Sequence, residues 1–191
     1  MKCLLCESFS LLHICTHCQK TFLQPSLYER TLPNDIKVYS FYKYEDIKPL
    51  LFTKHTHLGF YIYTLLARNS FTPFAHQLQT AQHFVSLGID DNVKSGYSHT
   101  AILNKALQTS HIRPLFHKLR ATNTISYSGK TKLFRQQNPR RFKLYPFHGN
   151  TIILVDDIVT TGTTLYEATN ILQKHHKSVS FCLTLSDAGL K

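Results

Sequence analysis

The chain has 191 residues, 42% hydrophobic and 17% charged, with a net charge of +11. That balance excludes a disordered or fibrous chain and is enough for one α/β core with a small appendage. No apolar run reaches the roughly 18 residues of a membrane helix, and MKCLLCESFS lacks a signal-peptide core, so a cytoplasmic protein without a transmembrane segment is expected.

The first predicted element is a metal knuckle. Residues 3 to 18 carry Cys3-x2-Cys6 and Cys15-x2-Cys18. In a cytosolic chain such paired cysteines read as thiolate ligands of tetrahedral zinc rather than as disulfides. Four protein ligands leave no open position, so the zinc is expected to be structural. His13 and His17 are near enough in sequence to replace a sulfur. We place a zinc-binding module at residues 1–25 and the remaining domain at 26–191.

A polar connection between Pro25 and Pro33 leads to a strand, Ile36 to Tyr42, and a short helix, Asp46 to Lys54. An apolar helix is predicted from Leu58 to about Leu66, with Phe71, Phe74 and Leu78 continuing its face. His83 to Ile89 reads as a strand, Ser98 or His99 to Leu107 as a helix, and Ile112 to Leu119 as a strand that Pro114 would place at an edge. From Arg120 to Asn150 the pattern breaks down, apart from a helical piece around Lys130 to Gln137. A long weakly patterned stretch inside a domain is usually a functional loop.

This middle region is also where the charge lies. No Asp or Glu occurs from Asn92 to Val155, while Lys94, Lys105, Arg113, Lys118, Arg120, Lys130, Lys132, Arg135, Arg140, Arg141 and Lys143 account for the whole excess. One-signed charge points to a polyanion, either ligand phosphates or a nucleic-acid backbone. Lys118, Arg120, Arg140, Arg141 and Lys143 are the candidates for a nucleic-acid backbone, that of single-stranded DNA; exposed aromatics could stack on bases, but core packing is the better reading of them.

The stretch TIILVDDIVTTGTTLYE, Thr151 to Glu167, carries the chemistry. Ile152 to Val155 form an unalternating apolar run, as in a strand buried on both faces of a parallel sheet. The acid pair Asp156 and Asp157 follows. In the turn Thr160, Thr161, Gly162, Thr163 and Thr164, glycine lets successive N–H groups converge on one anion and the hydroxyls add donors. Thr164 and Glu167 have capping-box spacing, so the next helix is predicted to start there. Carboxylates beside a phosphate cup suit a ligand that also offers hydroxyls and a divalent cation, hence a sugar phosphate with Mg2+. A helix to His175-His176 and a last strand, Val179 to Leu185, complete a doubly wound α/β pattern.

VDDIVTTGTT resembles the ribose-phosphate loop of type I phosphoribosyltransferases. The resemblance implies that fold, with a mainly parallel sheet, and a ligand, phosphoribosyl pyrophosphate (PRPP). Asp156 and Asp157 would be the catalytic acids on the ribose, Thr160 to Thr164 would hold its 5-phosphate, and Lys130, Lys132 and Arg135 would meet pyrophosphate from a closing loop. With the cysteine knuckle, Leu133-Phe134-Arg135 and Asn138, the whole chain resembles the ComF family of competence proteins. It departs from that family at Ser95-Gly96-Tyr97-Ser98-His99, where Gly96 and the aromatic remain but an arginine, an asparagine and a glutamine do not. The resemblance implies a zinc-containing, PRPP-binding protein of natural transformation that handles incoming single-stranded DNA and meets other transformation proteins at the inner membrane. The alternative is a phosphoribosyltransferase that moves ribose 5-phosphate from PRPP to a base.

Overall fold

A computed structural model describes residues 1–78, 80–89, 96–122 and 140–190. Lys94, Ser95, the helical piece predicted at Lys130 to Gln137 and the loop residues Lys130, Lys132, Leu133, Phe134, Arg135 and Asn138 lie outside the described residues.

The elements in order are α1 (Thr16–Phe22), β1 (Tyr28–Thr31), β2 (Lys37–Lys43), α2 (Tyr44–Leu51), a 3-10 turn (Phe52–His55), α3 (His57–Asn69) and α4 (Phe71–Gln77). Then come β3 (Phe84–Gly88), α5 (His99–Lys105), β4 (Ile112–Leu115), β5 (Leu119–Ala121), β6 (Phe142–Leu144), β7 (Thr151–Val159), α6 (Thr163–Lys174) and β8 (Ser178–Asp187).

The central sheet runs β1-β2-β8-β7-β3-β4, and every neighbouring pair is parallel except β1 with β2. Fully buried Ile152, Ile153, Leu154 and Val155 explain why β7 lies at its centre, since such a run needs cover on both faces. Pro114 sits on β4, the outer strand, where a missing N–H is tolerated. Alternate residues of β7 feed two cores. Ile153 and Val155 pack with α2, α3, α4 and α5 through Ile47, Leu66, Phe71 and Leu103. Ile152 and Leu154 pack with α6 and the β5–β6 ribbon through Leu165, Leu172, Leu119 and Phe142. Each buried aliphatic side chain contributes about 1.5–3 kcal/mol relative to exposure.

The knuckle joins the first of these cores, because Cys3, Ile14, Cys18 and Leu23 belong to the same cluster as Ile62, Tyr63 and Leu66 of α3.

From β3 the chain crosses through α5 to β4 on one side, whereas β7 crosses through α6 to β8 on the other. The strand order therefore reverses between β3 and β7, and the crevice at their carboxyl ends is where open α/β sheets hold ligands.

Two strands were not predicted. β1 (YERT) falls in the polar connection, with half-buried Tyr28 and Arg30 alternating with exposed Glu29 and Thr31. It lacks an apolar face, and pairing with β2, reinforced by Lys37 Nζ to Glu29 at 2.8 Å, makes it a strand. β6 falls in the weakly patterned stretch and pairs antiparallel with β5, so the strand predicted from Ile112 to Leu119 is two short ones in separate sheets.

Candidate functional site

The four cysteines converge. All four Sγ atoms lie within 4.8 Å of one another, and Cys6 and Cys15 are 3.8 Å apart. A tetrahedral zinc shell with bonds of about 2.3 Å separates its sulfurs by about 3.8 Å, so the set fits zinc. Cys15 caps α1 and accepts from Cys18 N at 3.4 Å, while Cys15 N donates to Cys3 Sγ at 3.3 Å. Burial opposes ionisation of Cys3, but N–H donors from Cys15, Cys6 and Leu5 bring its thiol down to about 6, which favours the thiolate a metal needs. His13 instead packs on the Tyr61 ring at 4.9 Å, and among the described residues only cysteines form a cluster of metal-binding size.

The acid pair lies within β7, four residues deeper in the strand than the sequence pattern suggested. The two acids differ in burial but stay within reach of each other, since a side-chain hydrogen bond with Asp156 is among the influences that lower the Asp157 carboxyl. Asp156 is half-buried, and its Oδ1 accepts from Asp157 N at 2.9 Å. Asp157 is buried on the side of α3 and α5. Its Oδ2 lies 3.1 Å from Lys54 Nζ, 3.3 Å from His99 Nε2 and 3.4 Å from Tyr63 Oη. Burial alone would raise its carboxyl, but the charge of Lys54, His99 and hydrogen bonds hold it well below the usual carboxylate range.

Past β7 the backbone turns at Gly162, which has φ +78°. This left-handed conformation calls for glycine, and a Cβ there would also lie 2.7 Å from Leu32 Cδ2, which would have to shift. Gly162 is also the N-cap of α6, and no side chain bonds its first turn. Apart from a long 3.5 Å contact of Thr163 N to Thr161 Oγ1, these amides keep the orientation of an anion cup at a positive helix end. Thr161 and Thr163 share a hydroxyl hydrogen bond of 2.9 Å, and Arg30 holds the turn through Thr160 O at 2.7 Å while pairing with buried Asp187 at 3.2 Å.

The capping box at Thr164 and Glu167 does not form. The helix begins one residue earlier, and the Glu167 carboxylate accepts from Arg140 N at 2.8 Å. Burial pushes the Glu167 carboxyl up, opposed by that bond and by the charge of Arg140.

Four residues that the sequence reading passed over as site residues complete the crevice: Lys54, Tyr63, Tyr97 and His99. Tyr97 Oη donates to Lys54 O at 2.7 Å and to Thr56 O at 3.1 Å. Ser98 caps α5 through Ala101 N at 3.1 Å. Tyr97, Ser98 and His99, from the segment that departs from the ComF pattern, are thus built into the wall beside Asp157. No spacing signal links Lys54 to Asp157, since they are far apart in the chain, although the position of His99 at a helix start was legible.

Of the residues assigned to DNA, Arg120 and Lys143 are direct partners across β5–β6 and both are exposed. Arg141 is exposed beside them, while Lys118 Nζ donates to Pro146 O at 3.0 Å.

No known family matches this chain, and no curated protein is similar to it in sequence. Solved structures that resemble it are phosphoribosyltransferases. A hypoxanthine phosphoribosyltransferase from Staphylococcus aureus is 19% identical, with 65% of this chain and 62% of that chain aligned and a TM-score of 0.41. A hypoxanthine phosphoribosyltransferase from Trypanosoma cruzi is 16% identical over 65% of this chain and 67% of that one, with a TM-score of 0.42. An orotate phosphoribosyltransferase from Aeropyrum pernix is 14% identical over 91% of this chain and 81% of that one, with a TM-score of 0.43. The chain thus spans under two thirds of the length of the Staphylococcus aureus enzyme. The chain itself is a mixed α/β protein with a mostly parallel central sheet, and any functional reading rests on the crevice itself.

Proposed function

We propose that the crevice between the carboxyl ends of β3 and β7 binds PRPP, and that the chain is a phosphoribosyltransferase moving ribose 5-phosphate to a nitrogenous acceptor. The observation that carries this reading is the start of α6: a left-handed glycine in a threonine-rich turn, an uncapped first helical turn, and a carboxylate on the strand before it. A phosphate would take the amides and the hydroxyls of Thr161, Thr163 and Thr164, as anions do at helix N-termini. Asp156 would accept from the ribose hydroxyls. In the reaction the bond from the anomeric carbon to pyrophosphate breaks and a carbon–nitrogen bond forms through an oxocarbenium-like state, so positioning and fixed charge supply most of the acceleration. Magnesium binds through substrate phosphates and one or two carboxylates, a habit that Asp156 beside the cup suits, and it would neutralise the departing pyrophosphate. Lys130, Lys132 and Arg135 are the proposed pyrophosphate donors.

Calorimetry of PRPP with and without Mg2+ tests the binding. Affinity should require Mg2+ and fall roughly tenfold in Gly162→Ala, because a left-handed alanine costs about 1–2 kcal/mol and relaxing it turns the amides away. A wild-type chain that ignores PRPP, or an unweakened Gly162→Ala, would overturn it. Pyrophosphate release in the presence of purine, pyrimidine and amide acceptors then separates a transferase from a PRPP-binding protein.

A second reading, single-stranded DNA binding in natural transformation, is favoured by the outward pair Arg120 and Lys143 on a ribbon whose other face packs on α6. PRPP would then be a ligand of a DNA-handling protein rather than its substrate.

A further inference from the structure

Resting on the phosphoribosyl reading, we infer that Asp157 is a positioning residue and not a sugar ligand: through Lys54 and His99 it clamps the 3-10 turn and the starts of α3 and α5 into one wall of the crevice, leaving Asp156 alone to meet the ribose. Burial and partners distinguish the two acids. Asp156 is half-buried. Asp157 has a side chain only 9% exposed, and its Oδ2 faces Lys54, His99 and Tyr63. With three donors on Oδ2 and so little of the side chain exposed, this carboxylate offers scant surface to a ligand hydroxyl.

The wall it holds is tied at several points. Lys54 closes on Asp157 with its ammonium while its carbonyl accepts from Tyr97 Oη, so one residue joins β7 to the segment leading into α5. Tyr97 also binds Thr56 O, and Thr56 in turn caps α3 through Gly59 N at 3.3 Å. Gly59 has no side chain where Tyr97 Oη and Thr53 O approach, so these segments interlock only because that residue is glycine. His99 begins α5, so its contact with Asp157 fixes the start of that helix to the same carboxylate. These groups converge from the 3-10 turn, α3, α5 and β7, four elements brought together only by folding.

Two measurements on Asp156→Asn, Asp157→Asn, Lys54→Met and Lys54→Arg decide the matter. The first is PRPP affinity by calorimetry with Mg2+, where Asp156→Asn should lose about tenfold or more through the charged hydrogen bonds it removes. Asp157→Asn and Lys54→Met should each lose several-fold less than that. The second is amide hydrogen exchange over residues 52–60, which should speed up by about tenfold in Asp157→Asn and Lys54→Met as the wall opens locally, and stay unchanged in Asp156→Asn. Lys54→Arg should restore protection, and Lys54→Met combined with Asp157→Asn should be no worse than either alone, because both break one contact. Equal loss of PRPP affinity in Asp156→Asn and Asp157→Asn with exchange undisturbed would make Asp157 a ligand and overturn the inference. Should Asp157→Asn fail to fold, Lys54→Met carries the same comparison. Wild-type protein that does not bind PRPP would sink the phosphoribosyl reading, while the exchange data would still decide whether Asp157 clamps the wall.

Discussion

Asp157 shows how one side chain links packing to solution conditions. Burial disfavours its charge, yet Lys54 and His99 hold its carboxyl well below its ordinary value near pH 4. A depressed native pKa adds stability that is complete above the unfolded value and is lost as pH falls toward the native one. Urea midpoints measured from about pH 6 down to about pH 2 should therefore fall below about pH 4 in the wild type and fall less in Asp157→Asn. The pair Asp156-Asp157 was legible in the sequence as chemistry. Their different burial was not, because the acids look like the end of an apolar strand while β7 continues to Val159. The groups that enclose Asp157 are Lys54, Tyr63 and His99, which come from elsewhere in the chain.

The start of α6 teaches a related lesson for whole elements. Thr164 and Glu167 have the spacing of a capping box, but Arg140, brought alongside by the chain before β6, takes the Glu167 carboxylate, and Gly162 opens the helix without a side-chain cap. Local pattern located the helix to within a residue and misread its first turn. The β5–β6 ribbon was illegible for a different reason: strands of three residues with exposed Arg120 and Lys143 carry no periodicity of their own. Their apolar residues, Leu119, Phe142 and Leu144, make sense only against α6. If the outward face binds single-stranded DNA, reversing both charges in Arg120→Glu with Lys143→Glu should weaken binding and reduce the slope of log affinity against log salt by about 1.4, since each lost phosphate contact withholds about 0.7 of a counterion. An unchanged slope in a fluorescence-anisotropy titration would remove the ribbon from the DNA reading.

For the molecule as a whole, the metal knuckle and the α/β sheet share apolar surface. Cys3 and Cys18 are buried among residues that also contact α3, so the cysteines organise part of the main core. One zinc per chain by elemental analysis is the expected stoichiometry. Removing it with a chelator, or replacing Cys18 by serine, should lower Tm by several degrees or more, because the two knuckles would lose their crosslink and their segment would leave Ile14 and Leu23 uncovered. A metal-free protein with the same Tm would show the cluster to be dispensable.

The sequence by itself determined the α/β class, the cysteine set, the buried central strand and the glycine-threonine turn, because each is written in adjacent residues whose local chemistry admits few alternatives. Only the tertiary structure decided that β1 and β6 are strands, that Glu167 serves Arg140, and that Lys54, His99 and Tyr63 surround Asp157. Those outcomes depend on contacts between residues distant in the chain, where pairing, burial and charge override the preferences of any short segment.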